Sequence, residues 1–315
     1  MAEDLKWTKK DLLCLYDLTK EEITHILDTA QEFKKVSERK VKKVPALRGK
    51  TVVNFFVEPS TRTRVSFELA EQRLSADIIN MAADVSSLKK GETLLDTVKN
   101  IEALQADIIV MRHSCTGAQD FIAKHSKCGI VNAGDGAHSH PTQALLDMFT
   151  IREKFGRIEG LNVAIVGDIL HSRVARSNIW GLTKLGARVT LVGPATLVPE
   201  EFNTLENVRV CHTLEEGLRD ADVINMLRIQ HERQNASYFP STGEYARYYG
   251  LNEANWKYVK EGAMIMHPGP VNRGVELTGA VIDHSRSYIE EQVLSGIAVR
   301  MAVLKLLNDF RTQNK

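Results

Sequence analysis

From Thr51 onward, short apolar runs alternate with stretches that carry apolar residues every three to four positions. Continuous apolar runs mark strands buried on both faces, and the 3.6-residue stripe marks helices packed on them. The pattern therefore predicts βα units around parallel sheets. In the first half the strands fall at 51–57, 77–81, 107–111 and 129–132. The intervening helices carry Phe67, Ala70 and Leu74 within 65–74; Leu94, Leu95, Val98, Ile101 and Leu104; and the segment 117–125. Ahead of them, Thr19-Lys20-Glu21-Glu22 has the form of a capping box, with Ile23, Ile26, Leu27, Ala30 and Phe33 as the stripe of the helix it starts. The basic stretch 34–43 reads as a solvated helix end and loop. A helical segment at 144–155 and Gly156-Arg157-Ile158-Glu159-Gly160 lead into a second set of units, beginning at 161–168, with strands at 188–192, 207–211, 222–227 and 263–267. Ile289, Val293, Ile297, Met301 and Leu304 trace one long terminal helix. Two similar α/β halves linked by a helix near 141–155 imply a cleft between them.

Length and composition narrow this picture. A chain of 315 residues exceeds one ordinary core and suits two domains of ~150 residues. With 43% hydrophobic and 26% charged residues and a net charge of +1, the chain has no general attraction to nucleic acid or membrane, so an anion site must be built locally. No window approaches 18 apolar residues, and the first ten residues are too charged for a signal peptide, which sets a cytoplasmic expectation. Cys14, Cys115, Cys128 and Cys211 are widely spaced and read as reduced, structural thiols.

The densest chemistry lies in Glu58-Pro59-Ser60-Thr61-Arg62-Thr63-Arg64, directly after one strand and at the start of a helix. Ser60 or Thr61 is placed to cap that helix, and its N-terminus offers N–H groups and partial positive charge. Together with two hydroxyl-bearing neighbours and two arginines, the turn suits a phosphate. Other strand ends also carry polar groups: Arg112-His113, Asp168, Arg228-Ile229-Gln230 and His267-Pro268-Gly269-Pro270. Carboxyl ends of parallel strands converge on one edge, and several cations there point to an anionic ligand. His138-Ser139-His140 lacks a matching carboxylate or thiol motif and is weak as a metal pair. No GxGxxG follows the strand ending at Gly167-Asp168, which argues against a dinucleotide-dependent dehydrogenase.

Ser60-Thr61-Arg62-Thr63-Arg64, Lys90-Gly91-Glu92, Arg112, His140-Pro141-Thr142-Gln143, the segment 228–233 and His267-Pro268-Gly269-Pro270 together resemble the aspartate/ornithine carbamoyltransferase family, and within it the aspartate-specific catalytic chains. The likeness covers essentially the whole chain in motif order. It implies an α/β fold of two domains, each a parallel sheet flanked by helices: a carbamoyl-phosphate domain over 1–141, completed by the returning helix at 293–315, and an aspartate domain over 142–292. It implies that Ser60, Thr61, Arg62 and Thr63 hold the phosphate and that Arg112 bridges phosphate and carbonyl. His140 and Thr63 would polarise the carbonyl, while Gln143 and the carbonyls of Gly269 and Pro270 accept from the carbamoyl amine. Arg173, Arg228 and Gln230 would bind aspartate. Ser87 and Lys90 would enter the site of a neighbouring subunit, making a homotrimer with shared sites, with Ser86 as the alternative to Ser87. Glu58, Arg173 and Arg233 would form a charge set between the domains. No metal or organic cofactor is implied. Regulatory chains, or another enzyme of pyrimidine synthesis, remain open as partners. An ornithine-specific member would carry a cysteine in a His-Cys-Leu-Pro segment and a Ser-Met-Gly loop, where this chain has His267-Pro268-Gly269-Pro270 and Arg228-Ile229-Gln230. Transfer to another amine such as ornithine, and a non-catalytic phosphate-ligand-binding protein, stand as the alternatives.

Overall fold

The computed structural model describes residues 6–82, 91–229 and 240–313. Its elements run α1 (Lys20–Ser37), β1 (Thr51–Phe56), α2 (Thr61–Arg73), β2 (Asp77–Ala82), α3 (Leu94–Ala103), β3 (Ile108–His113), α4 (Ala118–His125), β4 (Gly129–Asp135), α5 (Pro141–Phe155), β5 (Asn162–Val166), α6 (Arg173–Lys184), β6 (Arg188–Val192), β7 (Val208–Cys211), α7 (Leu214–Leu218), β8 (Val223–Met226), α8 (Thr242–Tyr249), β9 (Met264–Met266), α9 (Gly279–Ile282) and α10 (Ile289–Gln313). They form two compact units: one reaches Leu146 and resumes at Leu294, the other spans Asp147–Val293.

In the first unit all four strands are parallel, in the order β2-β1-β3-β4. The core between strands and helices is built from Val53, Phe55, Ile101, Ile109, Met111, Ile122 and Ile130. Thr19 makes the capping box that starts α1, accepting from the Glu22 N–H while Glu22 accepts from the Thr19 N–H. The predicted α2 stripe is buried at Phe67, Ala70 and Leu74. Two predicted stripe positions differ. Leu104 is the C-cap of α3 and 68% exposed, and Val293 lies on an exposed face of α10, 60% exposed between the buried Gln292 and Ser295. From Ile297 onward α10 is buried nearly all round, through Val299, Met301, Val303 and Leu304. Arg300 of α10 donates to Ser66 Oγ at 2.9 Å and stacks on the Phe67 ring at 5.0 Å, which ties the chain's last helix to α2.

The second unit holds a five-stranded parallel sheet in the order β7-β6-β5-β8-β9. Ala164, Val166, Ile224, Met226 and Ile265 form its core with Leu214 and Leu218 of α7. Asp147 is fully buried and accepts from Asn178 Nδ2 (2.8 Å) and Gln292 Nε2 (2.8 Å), so a buried carboxyl joins α5, α6 and α10 inside this unit.

Candidate active site

Strand order places the chemistry. In the first unit the chain steps from β1 to β2 on one side, then returns to lay β3 on the other side of β1. The carboxyl ends of β1 and β3 therefore flank a topological switch point, the place where open α/β sheets bind ligands. The second unit repeats the arrangement with β5 and β8.

At the first switch point β1 ends at Phe56 and α2 begins at Thr61. Ser60 is the N-cap residue, as predicted by position, but its side chain makes no capping bond. Its hydroxyl donates to Thr63 Oγ1 at 3.0 Å. The helix start thus carries paired hydroxyls and no acidic residue in its first turn, an electrostatic setting for an anion. Thr61 and Arg62 are exposed and Thr63 is buried. Arg64 does not share this role: its Nε lies 3.3 Å from Glu68 Oε1 on the same helix.

Phe56 and Arg112 are register partners across β1 and β3. The Arg112 guanidinium is anchored twice, by Nη2 on Glu58 Oε1 at 2.6 Å and by Nη1 on the Ala133 carbonyl at 3.2 Å. Glu58 itself is held by its backbone, since its N–H donates to the Arg112 carbonyl. Burial pushes the neighbouring His113 imidazole below its usual pKa, with Glu58 pulling the other way.

His140 and Gln143 come from the end of the first unit. Pro141 opens α5, and the His140 carbonyl accepts from the Gln143 and Ala144 N–H groups, so both side chains sit on the first turn of that helix. His140 is 4% exposed and Gln143 9%. The loop before them is secured by Asp135, which is fully buried and accepts from the Ser139 N–H (2.7 Å), the Gly117 N–H (3.1 Å) and the His138 ring (3.0 Å). Asp120, Asp135 and His138 bring possible ligand atoms within 4.8 Å of one another. Asp135 is committed to those groups and braces the loop.

In the second unit β5 ends at Val166 and is followed by Gly167, whose φ of +134° favours glycine; a Cβ there would lie 3.1 Å from Leu227 Cβ and 3.3 Å from Tyr245 Oη. Asp168, fully buried, accepts from the His171 N–H and ring. Ser172 caps α6 by accepting from the Ala175 N–H, and Arg173 is the first helical residue, 4% exposed. Arg228 follows β8 and is half-buried; the next residue, Ile229, donates its N–H to Glu276. Gly269 and Pro270 lie on the turn after β9, where the Gly269 N–H donates to His267 Nδ1 at 2.8 Å. Ser86, Ser87, Lys90, Gln230 and Arg233 lie outside the described residues.

The sequence reading missed Asp135 and Glu276 as acceptors that brace the loops after β4 and β9. The only signal was an acidic residue beside a glycine-rich strand end in one case and beside a turn in the other. Within the first unit Glu58 also bonds Arg112, a contact the sequence did not indicate. The thiols agree with expectation: Cys14, Cys128 and Cys211 are buried and unbridged, and Cys115 is exposed.

An uncapped, hydroxyl-rich helix start at one switch point, with Arg173 and Arg228 after the strands flanking the other, makes an α/β arrangement suited to anionic ligands. The sequence matches the model of the aspartate/ornithine carbamoyltransferase carbamoyl-P binding domain over residues 10–153 and that of the Asp/Orn binding domain over 159–307. The chain belongs to the aspartate/ornithine carbamoyltransferase family. It is 59% identical over 303 residues to the aspartate carbamoyltransferase catalytic subunit of Syntrophus aciditrophicus, covering 96% of this chain and 98% of that one. It is also 59% identical to the corresponding subunit of Geobacter sulfurreducens, covering 94% and 95%. Among solved structures, aspartate transcarbamoylase of Trypanosoma cruzi with carbamoyl aspartate and phosphate aligns with TM-score 0.86 at 28% identity, covering 96% and 97% of the two chains. The ornithine carbamoyltransferase of Pyrococcus furiosus aligns with TM-score 0.85 at 34% identity, covering 96% and 98%.

Proposed function

We propose that this carbamoyltransferase moves the carbamoyl group of carbamoyl phosphate to L-aspartate, giving N-carbamoyl-L-aspartate and phosphate. The observation that carries the acceptor is the placement of Arg173 and Arg228 after the two strands that flank the second switch point. Forked guanidinium donors match both oxygens of a carboxylate, and an ornithine side chain carries a cation instead. Overall shape does not discriminate here, since aspartate and ornithine enzymes align equally well. The two relatives at 59% identity, both named for aspartate, support the same choice.

Ser60, Thr61, Arg62 and Thr63 hold the phosphate through hydroxyls, N–H groups and a guanidinium, and Arg112 bridges it to the carbonyl oxygen. His140 and Thr63 donate to that oxygen as the tetrahedral intermediate gains charge, each worth on the order of 3 kcal/mol when preorganised. Gln143 and the carbonyls of Gly269 and Pro270 accept from the carbamoyl amine. Arg173, Arg228, Gln230 and Lys90 hold aspartate. The amine nitrogen bonds to the carbonyl carbon, the C–O bond to phosphate breaks, and the departing phosphate takes the amine proton. Aligning two substrates supplies up to ~7 to 11 kcal/mol of the barrier reduction.

The same reading makes the active unit a homotrimer in which Ser87 and Lys90 serve a neighbouring site, and places the enzyme in de novo pyrimidine biosynthesis in the cytoplasm. No helix among the described residues is long and apolar enough to cross a membrane. A colorimetric assay of ureido product with a panel of amines tests the acceptor: aspartate is expected to be carbamoylated and ornithine not. Preference for ornithine would overturn the assignment.

A further inference from the structure

Glu276 is fully buried yet takes no part in the proposed chemistry. Its carboxylate accepts from two separate segments and faces a buried histidine. Oε1 accepts from the Ile229 N–H at 2.9 Å and from Asn272 Nδ2 at 2.8 Å. Oε2 accepts from the Asn272 N–H at 2.7 Å and lies 3.8 Å from His267 Nε2. His267 is 1% exposed, and its Nδ1 accepts from the Gly269 N–H, so its Nε2–H faces Glu276. Burial works against the charge, but the contacts with His267, Ile229 and Asn272 outweigh it and hold the carboxyl below its usual pKa. The segment is backed in turn by the Leu251 N–H on the Glu276 carbonyl at 2.8 Å. One carboxylate therefore fixes the backbone immediately after Arg228 and, through His267 and Asn272, both ends of the turn that bears Gly269 and Pro270.

We propose that Glu276 is a positioning residue that locks the Arg228 strand end and the Gly269–Pro270 turn into one arrangement for the acceptor, an inference that rests on reading those residues as substrate contacts. A purely structural carboxylate would matter for melting temperature alone. A positioning carboxylate also matters for kinetics, because a misplacement of about 1 Å at a reacting centre costs on the order of 100-fold.

The test compares Glu276→Gln and Asn272→Ala with the wild type. Gln offers one acceptor oxygen to donors that now share two, and Asn272→Ala removes a single side-chain donor. In both, the aspartate KM is expected to rise and kcat to fall, together on the order of 10-fold or more, while inorganic phosphate, held by the first unit, binds as in the wild type by calorimetry. Intact phosphate binding with wild-type kcat and KM in folded Glu276→Gln, whatever its melting temperature, overturns the inference. If Glu276→Gln does not fold, Asn272→Ala decides by the same two readouts. Absence of ureido product from the wild type would instead contradict the functional reading beneath it.

Discussion

Glu58 and Arg112 meet at 2.6 Å across the ends of two adjacent strands, with side chains only 21% and 11% exposed. The carboxylate and the Ala133 carbonyl together aim the guanidinium from two sides. A partly desolvated, charge-assisted bond of this kind contributes about 1.5 to 3 kcal/mol. Glu58→Ala is therefore expected to lower kcat/KM for carbamoyl phosphate on the order of 10-fold or more, with Glu58→Gln milder because it keeps an acceptor. Steady-state kinetics checks this, and unchanged values in Glu58→Ala would show that Arg112 is aimed without it.

Glu71 gives a pH signature. It is fully buried on α2, accepts from Asn54 Nδ2 at 2.8 Å, and is pushed up from 4.5 to about 8, chiefly by burial. Between those values the folded chain holds a proton that the unfolded chain releases, so stability falls as pH rises across that window. Glu71→Gln stays neutral at every pH. Its stability advantage over the wild type is expected to widen from pH 5 to pH 8, reaching on the order of a few kcal/mol, and then level off. Denaturant melts across that range measure it; a constant difference would contradict the raised pKa.

His140 is assigned to the carbonyl oxygen rather than to the phosphate. His140→Ala should therefore lower kcat on the order of 100-fold while inorganic phosphate binding, measured by calorimetry, stays unchanged. Loss of phosphate affinity of similar size would move His140 to the phosphate side.

Lys90 is proposed to act in a neighbouring site and Arg62 in its own. Mixing inactive Lys90→Ala and Arg62→Ala chains under exchange should regenerate some complete sites and restore part of the activity. Well-folded hybrids that stay inactive would argue against sharing.

The central strands β1, β3, β5 and β8 were legible because they are buried on both faces and so read as uninterrupted apolar runs, while the more exposed β2 and β7 still kept short apolar runs; β6 occupies 188–192 as the pattern predicts. β4 runs on to Asp135 beyond the expected 132 because Ala133, Gly134 and Asp135 lack apolar bulk yet remain fully buried in the sheet. The turn at Ser60–Thr63 was legible as a helix start, but the hydroxyl of Ser60 turned to Thr63 instead of capping the helix, a choice that composition does not encode. Strand order was not legible at all. Local periodicity gives no account of which strand lies beside which, and the two switch points, the 54-residue reach from Glu58 to Arg112 and the gathering of residues 229, 267 and 272 on Glu276 all follow from it.

The central claim is that one enzyme joins the carbamoyl carbon of carbamoyl phosphate to the nitrogen of aspartate. Carbamoyl phosphate labelled with carbon-13 at the carbonyl, mixed with aspartate and the enzyme and followed by nuclear magnetic resonance, tests it directly. The expected result is a new ureido carbonyl resonance that grows in step with inorganic phosphate and disappears in Arg62→Ala. Enzyme-dependent phosphate release without that resonance, or no turnover with aspartate present, would contradict the account.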